Sequence, residues 1–172
     1  LLASMAYYRI QGIMKMNEMV DLTIKGISGL MPLALLMLFA FAIGAVCKQL
    51  GTGIYVASIA SETIPGGMIP FLVFVLSCFI AFSTGTSWGT FAIMIPIAVP
   101  LAQTMDVNVL MAIAAVMGGG VFGDHCSPIS DTTILSSMAS ASDHIDHVRT
   151  QLPYAILAGV FAALMYLIVG FL

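Results

Sequence analysis

The chain has 172 residues, of which 60% are hydrophobic and only 8% are charged, and its formal net charge is −3. Soluble domains contain about 25% charged residues, which keep their surfaces hydrated. This composition therefore excludes an ordinary soluble domain and indicates a protein whose surface mostly faces lipid, with no nucleic-acid partner. The three cysteines, Cys47, Cys78 and Cys126, form no C-x-x-C pair, so we expect neither a disulfide framework nor a structural zinc site.

The first part of the chain mixes apolar and charged residues. Charges interrupt residues 1–28 at Arg9, Lys15, Glu18, Asp21 and Lys25. We predict that this stretch is the end of an upstream helix followed by an amphipathic segment at the membrane interface. The chain begins without Met and ends inside an apolar run, so we also expect it to be a piece of a longer protein.

Apolar segments of different lengths come next. Residues 29–47 are predicted to cross the membrane once, because about 1.5 Å per helical residue suffices for a core of about 30 Å. Two shorter apolar arms, at 68–84 and 88–104, flank a turn rich in hydroxyl groups and glycine. We predict that these arms form a re-entrant hairpin or a pair of broken helices.

The last part of the chain contains a further interrupted helix and a final span. Residues 109–141 are predicted to form a broken helix, because a polar stretch with Pro128 follows a glycine cluster. Residues 153–172 form the last span, with Pro153 in the first turn, where a missing N–H costs nothing. Residues 29–172 are therefore predicted to be the transport domain of an all-α, polytopic membrane protein.

The polar stretch in the broken helix carries the strongest functional signal. Asp124 and Asp131 lie there among hydroxyl groups, and an ionised group inside a bilayer costs at least ~2.5–3.5 kcal/mol. Such oxygens suit a small cation, and a carboxylate can also take a proton, so competition between the two at one site is a sufficient basis for antiport. Freed backbone carbonyls and Ser/Thr oxygens of this stretch are the candidate ligands, and Asp124 or Asp131 would neutralise the charge of the cation. The alternative is helix capping, with Ser127 or Ser130 as an N-cap and Asp131 at a helix N-terminus.

The turn between the two short arms is the second candidate region. Its hydroxyl groups belong to Ser83, Thr84, Thr86 and Ser87. They are predicted to complete an ion site from a second broken element. Alternatively, the small residues only permit close helix packing.

Three histidines are candidates for tuning proton affinity or sensing pH. His125 adjoins Asp124, while His144 and His147 are spaced at i, i+3, which also suits a metal. An N-cap at Ser142 or Asp143 explains the second group equally well. We expect no metal other than transported sodium.

Two further motifs point to other classes of protein. Residues 85–89 fit the pattern G-x-S-x-G, which leaves an intramembrane serine hydrolase centred on Ser87 as an alternative. Residues 118–123 fit G-x-G-x-x-G, but no strand–helix–strand context accompanies them, so we attribute that match to chance.

Residues 123–133, 143–149 and 82–90 closely resemble the signatures of the NhaC-type sodium/proton antiporter family. The resemblance implies a carrier of the bacterial inner membrane and not an enzyme, with inverted repeats, transported Na⁺ and H⁺ and no cofactor. It places this chain in the second half of a longer protein, whose missing N-terminal half would be a partner together with the lipid bilayer. It leaves the oligomeric state open. It also implies that residues 83–87 oppose the ion ligands of the broken helix, which by this resemblance are Asp124, Ser127, Asp131, Thr132 and Thr133.

The same family includes exchangers of organic anions such as malate and lactate. A sodium- or proton-coupled exchanger of small organic acids or amino acids is therefore the second hypothesis. Arginine is absent from the predicted spans, which favours the transport of cations.

Overall fold

The computed structural model describes residues 2–29 and 49–172, together with residues 31, 34, 35, 38, 39, 42, 45 and 46. Helices account for nearly all of this part of the chain, and it contains no strand. The chain divides into two compact units, Leu1–Leu38 and Phe39–Leu172. The membrane span predicted over 29–47 lies largely outside the described residues.

Over residues 2–29, the first unit contains two helices, α1 (Leu2–Ile10) and α2 (Met16–Gly29), joined by a turn. The backbone N–H of Lys15 donates to the Glu18 carboxylate at 2.8 Å, which satisfies a donor at the start of α2. Met19 is the buried residue of this pair of helices. The predicted position of this segment at the membrane interface stays a prediction.

The second unit is a bundle of six helices within the described residues. A 3-10 turn, Gly66–Met68, precedes the second of them. The helices are α3 (Thr52–Thr63), α4 (Ile69–Thr84), α5 (Ser87–Thr104), α6 (Val109–Cys126), α7 (Asp131–Ala139) and α8 (His144–Gly170). In the described part, Gly66–Thr84, Val109–Cys126 and His144–Gly170 are long and apolar enough to cross a membrane. This confirms the all-α, polytopic membrane class.

Polar N-caps set the starts of four of these helices. The Asn108 side chain accepts from the backbone N–H of Leu110 at 2.9 Å and begins α6. Asp143 accepts from Ile145 at 2.9 Å and from Asp146 at 3.0 Å and begins α8. Thr86 and Ser130 cap α5 and α7 in the same way. Each cap satisfies a backbone donor that has no partner within the helix.

Glycines let α4 and α6 approach each other backbone to backbone. A methyl group on Gly119 would meet the carbonyl oxygen of Phe74, and one on Gly123 would meet that of Cys78. The later glycine of α6, Gly123, contacts the later residue of α4, Cys78, so the two helices run in the same direction. The spacing of Gly119 and Gly123 is the small-xxx-small pattern of close membrane helix pairs.

Helix α5 returns alongside this pair in the opposite direction. Ser87 contacts Asp124, whereas Phe91, one turn later, packs against Gly120, one turn earlier in α6. Thus α4 and α5 form a helical hairpin whose tip lies at the end of α6. Whether this hairpin re-enters or crosses the membrane stays a prediction.

Helix α8 runs antiparallel to α6. Gly159 packs against Phe122, and further along α8 the Tyr166 hydroxyl lies close to Gly118. At the far end, Gly170 approaches the backbone of Gly67, next to the base of the hairpin. The opposite end of α8 therefore extends beyond the end of α6.

Candidate functional site: a buried carboxylate between a hairpin tip and a helix break

The Asp124 carboxylate is the centre of the candidate site. Its side chain is 3% exposed, although Asp124 is ionisable and lies near the end of a predicted membrane span. Ser130 Oγ lies 2.6 Å from Oδ1, and Thr132 Oγ1 lies 2.9 Å from Oδ2. Ser87 Oγ lies 3.5 Å from Oδ2, at the limit of a hydrogen bond. We call these four residues the Asp124 site.

An interruption between α6 and α7 brings two of these hydroxyl groups to the carboxylate. Helix α6 ends at Cys126, and Ser127 adopts an extended conformation before Pro128, which cannot donate a backbone hydrogen bond. Ser130 then caps α7 by accepting from the backbone N–H of Thr133 at 3.4 Å. We call residues 127–130 the break. By reversing the path of the chain, the break places Ser130 and Thr132 beside Asp124.

The hairpin tip supplies the third hydroxyl group and packs against the break. Gly85 has φ 69°, a left-handed conformation that ends α4. A Cβ atom on Gly85 would lie 2.7 Å from the carbonyl oxygen of Ile129. Only glycine allows both the turn and this approach. The contact holds Ser87, two residues later, near the carboxylate.

Gly85→Ala is therefore expected to weaken both the turn and its contact with the break. A left-handed alanine costs ~1 kcal/mol, and the crowded methyl group adds about 1–3 kcal/mol. We expect a lower thermal midpoint for the detergent-solubilised complete protein and a loss of its transport activity. Gly51→Ala is the matched control, because Gly51 has φ 65° but no atom of the described residues lies within 4 Å of its Cβ position. Equal losses in both variants would show that the Ile129 contact is unimportant.

The predicted site residues are only partly brought together. Asp124, Ser87 and Thr132 meet at the carboxylate. Thr86 and Ser127 lie beside them but bond to the backbone, at Gly89 and Ile129 respectively. The backbone of Thr133 contributes to the cap at Ser130, and its side chain is buried.

Three other candidates lie away from the carboxylate. Ser83 and Thr84 are exposed and donate to carbonyl groups of their own helix, those of Phe79 and Ile80, at 2.8 Å each. Asp131 is exposed, and its Oδ1 accepts from the backbone N–H of Thr132 at 2.8 Å. Asp131 and Ser130 thus occupy the helix-capping positions that the sequence offered as the alternative.

The three histidines have separate surroundings. The Nδ1 atom of His125 bonds to the carbonyl group of Val121 at 2.8 Å, so its ring is turned along α6 and not towards Asp124. His144 bonds to Pro128 and Ser137 through its two ring nitrogens. The side chain of His147 has no hydrogen bond in the described part of the chain, whereas its backbone N–H donates to the Asp143 carbonyl at 2.9 Å. Among the described residues, no group of three or more potential ligands could hold a metal ion.

Ser130 is the principal residue of the site that the sequence-based assignment missed. It is fully buried and makes the shortest contact with Asp124. Its spacing of six residues from Asp124 does not place the two on one face of a continuous helix. The available signal was Pro128, because a chain reversal there brings a residue shortly after it back towards the end of α6.

The hydrolase and dinucleotide-binding motifs lack the surroundings that their chemistry requires. Ser87 begins a helix after a helix, and its neighbour is a carboxylate where a serine hydrolase needs a histidine. Residues 118–123 lie inside α6. Neither motif follows a strand in the described part of the chain.

A helical membrane bundle with a buried carboxylate facing hydroxyl groups is typical of a transporter. Comparison with known proteins agrees: the model of the Na⁺/H⁺ antiporter family matches residues 1–171. The chain therefore belongs to the Na⁺/H⁺ antiporter family, a family of transporters and not of enzymes. No solved structure matches the chain.

Several curated relatives are similar in sequence to this chain. The chain is 46% identical over 155 residues to an uncharacterized protein of Haemophilus influenzae, covering 90% of this chain and 30% of that protein. It is 29% identical over 133 residues to the malate-2H(+)/Na(+)-lactate antiporter of Bacillus subtilis, covering 68% and 28%. It is 30% identical over 96 residues to the Na(+)/H(+) antiporter NhaC of Alkalihalophilus pseudofirmus, covering 55% and 21%.

These matches confirm the resemblance to NhaC-type antiporters. The chain spans less than a third of the length of the relatives that it matches.

Proposed function

We propose that the complete protein exchanges sodium, or lithium, for protons across the bacterial inner membrane, and that the Asp124 site takes either the cation or the proton. The observation that carries this proposal is a buried carboxylate in contact with hydroxyl groups from two interrupted elements. Buried ionisable groups in membrane helices are costly and usually functional. Carboxylate and hydroxyl oxygens are ligands that suit a small cation of this kind.

Counting the hydrogens in the site supports a proton as one occupant. Asp124, Ser130 and Thr132 form a closed ring, because Ser130 Oγ also lies 2.8 Å from Thr132 Oγ1. When the carboxylate is ionised, the hydroxyl groups of Ser130 and Thr132 both donate to Asp124. No hydrogen is then left for the contact between the two hydroxyl oxygens. One added proton supplies the third hydrogen, so that every contact in the ring is a hydrogen bond.

The same ring supports a cation as the alternative occupant. When the proton leaves, the carboxylate and the hydroxyl oxygens can turn lone pairs towards a positive charge. Ser87 Oγ, 3.5 Å from Oδ2, is close enough to add a fourth ligand after a small shift of its side chain. Proton and cation then exclude each other at one carboxylate, which is the requirement for antiport. Asp131, exposed beside Thr132, would attract the cation as it enters.

An exchanger of organic acids or amino acids is the second candidate. It is favoured by the similarity to the malate-2H(+)/Na(+)-lactate antiporter. A carboxylate substrate needs a cationic partner, and the sequence has no Lys or Arg between Lys48 and Arg149. The described bundle therefore supports the cation site better than an anion site.

The test measures proton movement in everted vesicles that contain the complete transporter and a trapped pH dye. Sodium, lithium, potassium and malate are added in turn. Proton movement evoked by sodium or lithium supports the proposal, whereas a response only to malate assigns the protein to the second candidate.

Ser130→Ala in the same assay tests the placement of the site. Removing one ligand is expected to raise the sodium concentration for half-maximal response about tenfold, which corresponds to one charge-assisted hydrogen bond. Ser136→Ala, in the same helix, is the control, because the Ser136 hydroxyl donates to the Thr132 carbonyl at 2.7 Å and not to Asp124. An unchanged response in Ser130→Ala would remove Ser130 from the site.

A further inference from the structure

His144 connects the start of α8 to the break, although the two are 16 residues apart in sequence. Its Nε2 atom lies 2.7 Å from the carbonyl oxygen of Pro128. Its Nδ1 atom lies 3.1 Å from the Ser137 hydroxyl oxygen, inside α7. One imidazole therefore contacts the break and the helix that follows it.

The hydrogens in this contact can be counted. A carbonyl oxygen only accepts, so Nε2 must carry a hydrogen. The Ser137 hydroxyl has one hydrogen, and it already donates to the carbonyl group of Ile134 at 2.8 Å. A neutral imidazole protonated on Nε2 leaves Nδ1 without a hydrogen, so Ser137 must choose between Nδ1 and Ile134. A doubly protonated imidazolium satisfies all three contacts at once, because Nδ1 then donates to Ser137.

We propose that His144 is a positioning residue for the Asp124 site, and that its protonated form holds the break in the conformation that places Ser130 on Asp124. This proposal rests on the proposed function, because it concerns the same site. The connection is short: the Pro128 carbonyl is bonded to His144, and Ser130 follows two residues later. We call His144, Pro128 and Ser137 the His144 tether.

Other ionisable groups lie on α8 and on the helices that pack against it. None of them forms a hydrogen bond or an ion pair with His144 in the described part of the chain. On α8 itself and its N-cap they are Asp143, Asp146, His147, Arg149, Tyr154 and Tyr166; on α7, Asp131; on α6, Asp124, His125 and Cys126; and on α4, Cys78.

The direction of the pH dependence follows from the number of hydrogen bonds that each protonation state of His144 can make. The extra hydrogen bond exists when His144 is protonated and is lost when the ring is deprotonated. Histidine side chains as a class change their charge between about pH 5 and 8. Acidic conditions therefore favour the held break. His144→Gln keeps a neutral side-chain donor for Pro128 but cannot gain the second one, so it reproduces the neutral imidazole.

The experiment compares the apparent sodium affinity of the complete transporter with that of His144→Gln across this pH range. Competition between sodium and protons affects both proteins, so it cancels in their ratio. We expect wild type to bind sodium about fivefold more tightly at the acidic end, the effect of one net hydrogen bond, and equally at the alkaline end. His147→Gln, which lacks a histidine one turn along α8, should show a flat ratio. A flat ratio for His144→Gln as well would overturn the proposal.

A second readout separates this proposal from the proposed function. Ile129 lies in the break with a side chain that is 60% exposed, so Ile129→Cys reports on the break by its labelling with a maleimide. The native residues Cys47, Cys78 and Cys126 are replaced by alanine. With His144 present, labelling relative to the His144→Gln protein should be about fivefold slower at acidic pH, and the two rates should converge at alkaline pH. If the labelling rates differ in this way but sodium evokes no proton movement, the His144 tether is supported and the sodium/proton antiport is rejected. If the labelling rates are equal at every pH, the His144 tether is rejected.

Discussion

Asp124→Asn is expected to abolish sodium-evoked proton movement. Asparagine has nearly the same shape, but it carries no negative charge and cannot exchange a proton. Losing a buried charge that contacts Ser130 and Thr132 should lower sodium affinity by at least about a hundredfold, or ~3 kcal/mol. The measurement is the dye signal in everted vesicles, scaled to the amount of folded transporter in the membrane.

Asp131→Asn is the matched control for this prediction. Asp131 is exposed, and an asparagine oxygen can still accept from the backbone N–H of Thr132. Loss of its charge at the start of α7 should cost only about 0.3–1 kcal/mol. Transport should therefore persist with a modest loss of affinity. If Asp131→Asn proved as inactive as Asp124→Asn, both carboxylates would have to be ligands.

Gly123→Ala should have a large effect on stability. A methyl group there would lie 2.7 Å from Ala81 Cβ and 2.7 Å from the backbone nitrogen of Phe82, and it would also meet the Cys78 carbonyl oxygen. None of these atoms is the end of a flexible side chain that can turn away. We expect a loss of about 3 kcal/mol, at the upper end for overpacked cores. The measurement is the fraction of the detergent-solubilised complete protein that stays monodisperse after heating.

Two other glycine substitutions provide a comparison for the loss of stability in Gly123→Ala. In α2, the methyl group added by Gly26→Ala has no atom of the described part of the chain within 4 Å, so this substitution should be neutral or stabilise the protein by about 0.5–1 kcal/mol. Gly118→Ala would place its methyl group 3.1 Å from the Tyr166 hydroxyl, which can move, so its effect should be intermediate. Equal tolerance of all three substitutions would contradict the close packing of α4 and α6.

Much of the fold could be predicted from the sequence because local chemistry determines it. Asn108 precedes an apolar run and Asp143 precedes a polar first turn, and both become N-caps. Gly85 ends a helix in the left-handed conformation that suits glycine. The break at Pro128 followed from its missing donor. The partners of each helix could not be predicted, because contacts such as Gly159 with Phe122 depend on positions far apart in the chain.

The site was predicted less completely than the fold. Residue type identified Asp124 correctly as a buried carboxylate, but it also selected Ser83 and Thr84, which bond to their own helix. Serine and threonine in helices commonly satisfy themselves in this way, and a sequence does not show which will do so. Ser130 was missed because its place beside Asp124 depends on the path of the chain through the break.

The glycine contacts have a mechanical consequence for transport. Helices α4 and α6 touch backbone to backbone at Gly119 and Gly123, and the hairpin tip touches the break at Gly85. Small sliding movements between these elements would cause collisions of main-chain atoms. The hydroxyl groups that contact Asp124 are therefore expected to move together with it. If the Asp124 site binds the transported cation as proposed above, access to the carboxylate would alternate through displacement of this assembly against the remainder of the complete protein.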